Sequence, residues 1–331
     1  MYLRSITTTT TTLLALAAGG TGCALDTDAA APKQSTAAAA LSREPDTLVL
    51  PGTNFFPESI ASTPAGTLFV SSITTGEIVR SPRASRAVET FVPAGVNIGT
   101  AGIAFDEARR VLWACAVDLT FATPTALRAF AADDGSLIAS YTVPNGGVCG
   151  DLVIARGDVY ISDTLLGLLF KLTTPACDDA TGGTLALWSA DPAFTGVGFQ
   201  QIKGMTFDGD RTFYTTNYST GELLRVQINA DGTAGTAALI TTPRRFSSAD
   251  GIRMAAPWTA SLLVTENPGA LSRVDITGDT ATITALGTFD EPTSVIRAGR
   301  DLWVTEGQVL RLQGVETSPL NLPFVVRRFT P

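Results

Sequence analysis

Short apolar runs alternate with turns rich in Gly, Pro, Asp, Ser and Thr over most of the chain. One unit recurs: a small or polar residue, an apolar strand, a turn, and a second apolar strand that ends in a polar residue. The six instances are PESIASTPAGTLFVSS, TAGIAFDEARRVLWACA, CGDLVIARGDVYISD, IKGMTFDGDRTFYTTN, ADGIRMAAPWTASLLVTE and PTSVIRAGRDLWVTE. This period-two patterning between turns predicts strands rather than helices.

Each unit continues with two more strand-like runs, such as GELLRVQI and TAALIT in the fourth. Four short strands in about 40–50 residues are typical of a β-propeller blade, whose apolar faces only neighbouring blades can cover. We therefore predict an all-β fold, a six-bladed β-propeller with four antiparallel strands per blade, over residues 46–331. A β-sandwich would not explain a six-fold recurrence. Either TLVL at 47–50 or PFVVRRF at 323–329 supplies the outermost strand of the last blade.

The N-terminus has the pattern of an export signal. In residues 1–23, a single Arg4 precedes a short apolar stretch and small residues. This predicts a signal peptide, because the apolar stretch is far below the ~20 residues needed to cross a bilayer. The GTGC motif loosely resembles a bacterial lipobox, so either Cys23 is lipidated or the chain is cleaved nearby. Residues 24–45, rich in Ala, Ser and Pro, predict a flexible linker.

Export predicts a periplasmic, cell-surface or extracellular protein, with membrane contact only through a lipid anchor. The mature chain has three further cysteines, Cys115, Cys149 and Cys177. An oxidising compartment favours one disulfide. Cys115 and Cys149 lie at equivalent depth in adjacent repeats and are the preferred pair. Other pairings, and buried free thiols, remain alternatives.

Composition narrows the chemistry. The chain has no histidine, which excludes Ser-His-Asp and Cys-His nucleophiles and the HExxH zinc site. Carboxylates, Lys, Tyr, hydroxyls or an oxygen-bound cation must do any chemistry. The net charge is −8 and there is no basic cluster, so no nucleic-acid partner is expected. We expect a monomer that binds a small-molecule ligand or substrate.

A propeller places two sets of residues at one mouth of its channel. The innermost strand of each blade begins there, and the antiparallel second strand ends there. The first positions form a predicted inner ring of Glu58, Ala101, Gly150, Lys203, Asp250 and Thr293. The second-strand ends form a predicted outer ring of Ser72, Ala116, Asp163, Asn217, Glu266 and Glu306.

Clustered carboxylates at a narrow mouth need a compensating charge. Glu58 and Asp250 face Lys203 across the predicted channel, with Asp151 nearby. Two solutions fit: a hard divalent cation held by oxygens, or Lys203 as the counter-charge. For Asp163, the alternative to a site role is to cap a turn by accepting hydrogen bonds from backbone N–H groups.

The motifs PESIAS, GDLVIARGDVYISDT, GMTFDGDRTFYTTN with GELLRV, and ADGIRMA resemble the SMP-30/gluconolactonase/LRE family. The chain is also similar to strictosidine synthase-like and NHL-type propellers. The resemblance covers essentially residues 50–312. It implies a six-bladed propeller with one divalent cation (Ca²⁺, Mg²⁺ or Mn²⁺) at the top of the channel, and hydrolysis of sugar lactones and related esters.

The resemblance also implies roles for particular residues. Glu58 matches the family's first-blade metal ligand, and Asp250 matches its fifth-blade ligand and base. Gly150 and Lys203 stand where the family has asparagine ligands, so the predicted metal site is degenerate, with Asp151 or Glu266 as a substitute ligand.

Three functions follow as hypotheses. In the first, an exported hydrolase of lactones or small esters uses Asp250 as base, Glu58 and Asp151 to bind cation or water, and Lys203 to polarise the carbonyl. Residues assigned to substrate binding are Asp163, Asn217, Glu266 and Glu306. In the second, a non-catalytic propeller binds a ligand or protein, and Glu58, Lys203 and Asp250 form a structural ion-pair network. The third is a strictosidine synthase-like lyase that uses Glu306.

Overall fold

The computed structural model describes residues 46–175, 179–198 and 200–331. The predicted signal peptide, Cys23, the predicted linker and Cys177 lie outside the described residues. Within those ranges no helix is both long and apolar enough to cross a membrane.

The chain forms six four-stranded antiparallel sheets arranged as blades around a channel, which confirms the predicted fold. The first strand of the described residues is the short β1 (Thr47–Val49). Blade 1 contains β2 (Pro57–Ser62), β3 (Leu68–Ser72), β4 (Ile78–Ser81) and β5 (Glu89–Val92). Blade 2 contains β6 (Gly99–Asp106), β7 (Val111–Val117), β8 (Ala126–Ala131) and β9 (Leu137–Thr142). Blade 3 contains β10 (Cys149–Ala155), β11 (Asp158–Asp163), β12 (Leu168–Thr173) and β13 (Thr184–Ser189).

The remaining blades follow the same order. Blade 4 contains β14 (Ile202–Phe207), β15 (Thr212–Asn217), β16 (Leu223–Gln227) and β17 (Ala238–Ile240). Blade 5 contains β18 (Ala249–Met254), β19 (Ser261–Glu266), β20 (Ala270–Thr277) and β21 (Thr280–Thr288). Blade 6 contains β22 (Pro292–Ala298), β23 (Asp301–Glu306), β24 (Val325–Phe329) and, outermost, β1. The helical pieces are short: α1 (Val309–Leu312) and 3₁₀ turns at Pro144–Gly146 and Pro192–Phe194.

Both candidate closing segments join blade 6. The C-terminal strand β24 is its third strand, and the N-terminal strand β1 pairs with β24 as the outermost one. The innermost strands contact each other in blade order, and β22 of blade 6 contacts β2 of blade 1. Pairing the first and last strands of the described residues in one sheet closes the ring through blade 6.

The inner strand of every blade has an irregularity at the same place. The register with the second strand shifts just where each inner-ring residue lies, for example between Cys149 and Leu152 around Gly150. A β-bulge redirects side chains and strengthens local twist. Neighbouring bulges are in close contact, since a Cβ on Gly251 would lie 2.6 Å from the carbonyl oxygen of Thr293.

A hydroxyl on the second strand ties several blades to their neighbours. Ser71 accepts a hydrogen bond from the Ser59 N–H of its own bulge and donates to the carbonyl of Ala101 in the next blade. Ser162 and Thr265 bridge blade 3 to blade 4 and blade 5 to blade 6 in the same way.

Blade 2 has a cysteine at the position of these hydroxyls. Cys115 forms a disulfide with Cys149 of blade 3, with a Cα–Cα distance of 5.3 Å, which confirms the preferred pairing. The covalent bond therefore links the same two elements that the hydroxyl hydrogen bonds link elsewhere in the ring.

The apolar core lies mainly between blades. One cluster joins blades 3 and 4 around Tyr160 and Phe213, whose ring centroids are 4.6 Å apart. Trp113 and Trp303 are fully buried in a larger cluster that spans blades 6, 1, 2 and 3. Aromatic residues of the second strands therefore hold the blades together and leave the channel mouth to other side chains.

Candidate functional site

An ion triad lies at the centre of the mouth. Lys203 Nζ is 2.7 Å from Asp250 Oδ2 and 3.2 Å from Glu58 Oε1. All three residues come from inner-ring bulges of blades 1, 4 and 5 and are buried. The structure thus brings together three residues that are remote in the sequence, as the repeat predicts.

Two further polar side chains, which the sequence did not predict, hydrogen-bond to the triad or pack against it. Asn267 Nδ2 donates to Asp250 Oδ2 at 2.9 Å, and the hydroxyl of Tyr218 donates to Asn267 Oδ1 at 2.7 Å. The Tyr218 ring lies 5.2 Å from Lys203 Nζ, a cation–π distance. We call Glu58, Lys203, Asp250, Asn267 and Tyr218 the floor network.

Burial and charge set the protonation of this network. Burial lowers the pKa of Lys203, but the charges of Asp250 and Glu58 outweigh it and raise the pKa above its usual range. Burial raises the pKa of Asp250 to about 7; Lys203 opposes this shift and Glu58 adds to it. Two carboxylates share one ammonium, so Lys203 keeps its charge while Asp250 takes up a proton near neutral pH.

The residues present do not fit a divalent cation. The ammonium of Lys203 lies between the two carboxylates that would bind the ion, and like charges in so small a space repel strongly. Asp151, the third predicted ligand, instead forms a bidentate ion pair with Arg253 at 2.7 and 3.1 Å. Among the described residues, no group of three or more Cys, Asp or Glu side chains is placed to hold a metal ion.

Asp151 and Asp250 both line a very small space of about 10 Å³ in the channel, which Glu58 and Lys203 also line. The backbone N–H of Met205 donates to Asp151 as well, so this carboxylate is held by blades 4 and 5. A larger cavity opens above this space, and Asp250 does not line it. The acid that faces that cavity beside Lys203 is Glu58.

The predicted substrate-binding residues of the outer ring are engaged within the blades. One oxygen of Asp163 accepts hydrogen bonds from three backbone N–H groups, those of Val148, Leu165 and Leu166. Asn217 accepts from the N–H groups of Ser219 and Thr220. Both side chains cap the turn after the second strand, which is the alternative considered for Asp163.

The two outer-ring glutamates form ion pairs. Glu266 accepts two hydrogen bonds of 2.7 Å from Arg244, and Glu306 accepts two of 2.9 Å from Arg327. Neither glutamate, nor Asp163 or Asn217, lines the larger cavity. Their substrate-binding role stays a prediction, and the contacts above give each of them a structural role.

A cavity of 750 Å³ opens above the floor network, and we call it the mouth cavity. Its lining has a mainly apolar and a mainly polar sector. The apolar sector, from blades 6, 1 and 2, contains Ile73, Val117, Leu119, Phe121, Val309, Leu312 and Val315, together with the polar Asp118 and Gln313. The polar sector, from blades 3 to 5 and the loops between them, contains Thr164, Gln200, Lys203, Tyr218, Ser219 and Ser248, together with Val148 and Cys149.

Part of the apolar sector comes from an insertion in blade 6, residues 307–324, which we call the lid segment. It contains α1 and joins β23 to β24. Glu291 accepts hydrogen bonds from the N–H groups of Leu310 and Arg311, and the Arg311 side chain pairs with Asp290 at 2.8 Å. These contacts hold Val309 and Leu312 over the mouth.

A simple rule locates many of the cavity residues in the sequence. Ile73, Val117, Thr164 and Tyr218 each lie one position after an outer-ring residue. The residue after each of these outer-ring positions lines the cavity, whereas the outer-ring residue itself does not. These four cavity residues therefore follow the predicted outer ring by one position.

Comparisons of the whole fold agree with this architecture. The Malassezia sympodialis allergen Mala s 1 matches with a TM-score of 0.62 and 12% identity over 86% of this chain and 96% of that one. A gluconolactonase from Xanthomonas campestris, XC5397, matches with 0.60 and 14% identity over 86% and 89%. A luciferin-regenerating enzyme matches with 0.59 and 10% identity over 86% and 95%.

These similarities establish the fold. No protein-family model matches the sequence, and a search among curated proteins finds no similar sequence. The predicted resemblance to gluconolactonase and luciferin-regenerating enzyme propellers is therefore confirmed in architecture. One of these neighbours is named a gluconolactonase and another an allergen, so function has to be argued from the site.

Proposed function

We propose that this protein binds a small organic molecule with an apolar body in the mouth cavity. The observation that carries the proposal is a cavity of 750 Å³ with one apolar wall, one polar wall and a charged floor. Ligand sites in proteins typically have about 300–1,000 Å³ and combine apolar walls with a few convergent polar groups.

The sectors suggest how such a ligand lies. Its apolar part packs against the lid segment and the side chains of blades 1 and 2, where Leu119 and Phe121 remain half exposed. Its polar part faces Lys203, Tyr218 and the hydroxyls of blades 3 to 5. Covering the exposed apolar side chains on binding supplies the main gain in free energy.

Filling the cavity tests this proposal. Ala101 lies in the cavity wall, and Ala101→Trp places an indole in the cavity. Binding of the neutral fluorescent probe N-phenyl-1-naphthylamine is titrated to saturation. We expect binding near one to one in the native protein and strong loss in Ala101→Trp. The control, Ala84→Trp, lies on an exposed turn outside the cavity and retains native affinity.

A second pair of variants avoids the core. Val315→Asp places a charge on an exposed residue of the cavity rim, and Leu239→Asp places one on an exposed residue of the outermost strand of blade 4. We expect Val315→Asp to weaken probe binding by about fivefold, the equivalent of ~1 kcal/mol of lost apolar contact. The proposal fails if the probe does not bind saturably, or if the rim and control variants behave alike.

A second candidate function is hydrolysis of lactones or small esters in the same cavity. It is favoured by one observation: the ammonium of Lys203 and the carboxylate of Glu58 line the cavity floor side by side. In this scheme Glu58 takes a proton from water as the oxygen attacks the carbonyl carbon. Lys203 stabilises the resulting oxyanion, and the ester C–O bond breaks as the leaving oxygen takes the proton from Glu58.

Turnover of a lactone and ester panel separates the two candidates. The hydrolase scheme expects activity that survives EDTA and is lost in Glu58→Gln. Asp250→Asn, on the far side of Lys203, distinguishes this scheme from the one in which Asp250 is the base. Absence of turnover across the panel, with probe binding intact, leaves the binding function alone.

We also propose that the protein is exported. Two features support this: the N-terminal pattern of residues 1–23 and the disulfide between Cys115 and Cys149, a bond that persists in oxidising compartments. Fractionation of expressing cells, with and without the Cys23→Ala substitution, tests export and lipidation together. A cytoplasmic, reduced protein contradicts the proposal.

A further inference from the structure

The charges at the mouth cavity are not balanced. Lys203 is the only basic residue among the described residues that line it, whereas both Glu58 and Asp118 are acidic. Directly behind Lys203 lies Asp250. Lys203 therefore faces two carboxylates at hydrogen-bonding or ion-pair distance, and the floor keeps an excess negative charge whenever both are ionised.

Glu58 is the triad carboxylate that can pair with a further cation or hydrogen-bond donor. Among the described residues its ion-pair partner is Lys203, at 3.2 Å through one carboxylate oxygen. Asp250, by contrast, accepts short hydrogen bonds from both Lys203 and Asn267. Asp118 is also engaged, since its two oxygens accept from the backbone N–H groups of Thr120 and Thr123.

The polar sector adds hydroxyl oxygens that can accept hydrogen bonds, those of Ser219 and Ser248. A ligand with N–H or O–H groups on its polar end fits this wall.

We infer that the ligand is a cationic amphiphile, in which a protonated amine pairs with Glu58 and a hydrocarbon body lies against the apolar sector. This inference rests on the proposed binding function and specifies the class of ligand. The amine donates to Glu58 from the cavity side, whereas a divalent ion would need both Glu58 and Asp250, which Lys203 separates. A cation also approaches favourably, because the protein carries a net charge of −8.

An anionic ligand fits less well. To pair with Lys203, a ligand carboxylate would have to compete with Glu58 and Asp250, which already hold the ammonium at 3.2 and 2.7 Å. It would also lie close to both carboxylates, and like charges brought together in a desolvated site cost several kcal/mol. The floor therefore discriminates by repulsion as well as by attraction.

Three probes of equal length test the inference: octylamine, octanol and octanoate, each titrated calorimetrically into the full chain at pH 8 in low salt. We expect the amine to bind about tenfold or more tightly than the alcohol, a difference of ~1.4 kcal/mol, and octanoate to bind weakest. The preference should shrink in high salt as the ion pair is screened.

Glu58→Gln then identifies the counter-ion. It should bring the affinity for octylamine down to about that for octanol measured in the same variant. Asp133→Asn removes an exposed acid that pairs with Arg110 outside the cavity and should keep the preference for the amine. The order of affinities in the native protein is decisive even if Glu58→Gln does not fold.

The outcomes separate the two proposals. If octanol binds as tightly as octylamine, the inferred ligand class is wrong but the cavity still binds apolar molecules. If octanoate binds tightest, Lys203 rather than Glu58 selects the ligand, and the inference is overturned. If none of the three binds and N-phenyl-1-naphthylamine also fails, the proposed function itself is wrong.

Discussion

The inner and outer rings place similar side chains at the same mouth, yet they behave differently. Glu58 and Asp250 of the inner ring meet Lys203 across the channel. Glu266 and Glu306 of the outer ring each bind an arginine within or next to their own blade. In blade 5 the inner strand bulges at Asp250, whereas the second strand pairs regularly with the third strand up to Glu266. In this blade the acid in the bulge meets Lys203 across the channel and the regularly paired acid binds Arg244.

Removal of the inner-ring ammonium should have the largest effect. Lys203→Asn leaves two buried carboxylates without their counter-charge, and loss of one partner of a buried ion pair costs about 3–5 kcal/mol. We expect this loss in the free energy of unfolding measured with urea. Asn also supplies an oxygen, so Ca²⁺ should restore part of the stability of the variant.

The matched control is the native protein, measured with and without Ca²⁺. Lys203 occupies the place of the ion there, so Ca²⁺ should not raise the stability of the native protein. A gain in melting temperature from Ca²⁺ that is equal in both proteins would show that the ion binds elsewhere.

Removal of the disulfide between blades 2 and 3 should have the next largest effect on stability. Cys115→Ala with Cys149→Ala removes a cross-link between residues 34 apart, which should cost about 2–4 kcal/mol. Cys115→Ser with Cys149→Ala restores the hydroxyl found at Ser71 and Ser162, and should recover about 1 kcal/mol. Equal stability of the two double variants would refute the equivalence of disulfide and hydroxyl.

In the outer ring, Glu266→Gln should have a smaller, purely structural effect. The change removes the bidentate pair with Arg244, a residue about half exposed, and should cost about 1–3 kcal/mol. Probe binding in the mouth cavity should remain native, because Glu266 does not line it. A loss of affinity at unchanged stability would assign Glu266 to the ligand after all.

The smallest expected effect is a change in the pH dependence of stability caused by Asp250 of the inner ring. The pKa of Asp250 is about 7 in the folded protein and about 4 in an unfolded chain, so between these values the folded state binds more protons. Stability from this group is therefore full below pH 4 and is lost as pH rises through 7, at up to about 1.4 kcal/mol per pH unit. Asp250→Asn should flatten this decline between pH 5 and 8. An unchanged slope would contradict the raised pKa.

The sequence predicted the architecture and the triad for the same reason. Six repeats of a strand–turn–strand unit align residues that are remote in the chain, so Glu58, Lys203 and Asp250 fall at equivalent positions. The pairing of Cys115 with Cys149 followed from the same alignment.

What repeats could not predict lies outside the repeated unit. Tyr218 and Asn267 follow the outer ring by one position, where no residue type recurs. The lid segment is an insertion unique to blade 6. The pairing of Asp151 with Arg253 depends on the direction of a side chain three residues beyond Asp250, and periodicity does not specify it.

A double-mutant cycle on Lys203 and Asp250 tests the central claim most directly. The free energies of unfolding of the native protein, Lys203→Met, Asp250→Asn and the double variant are measured at pH 8. If Lys203 is the fixed counter-charge of the mouth, the double variant should lose less than the sum of the single losses, with a coupling of about 1.5 kcal/mol or more. Losses that add to within about 0.5 kcal/mol would contradict it.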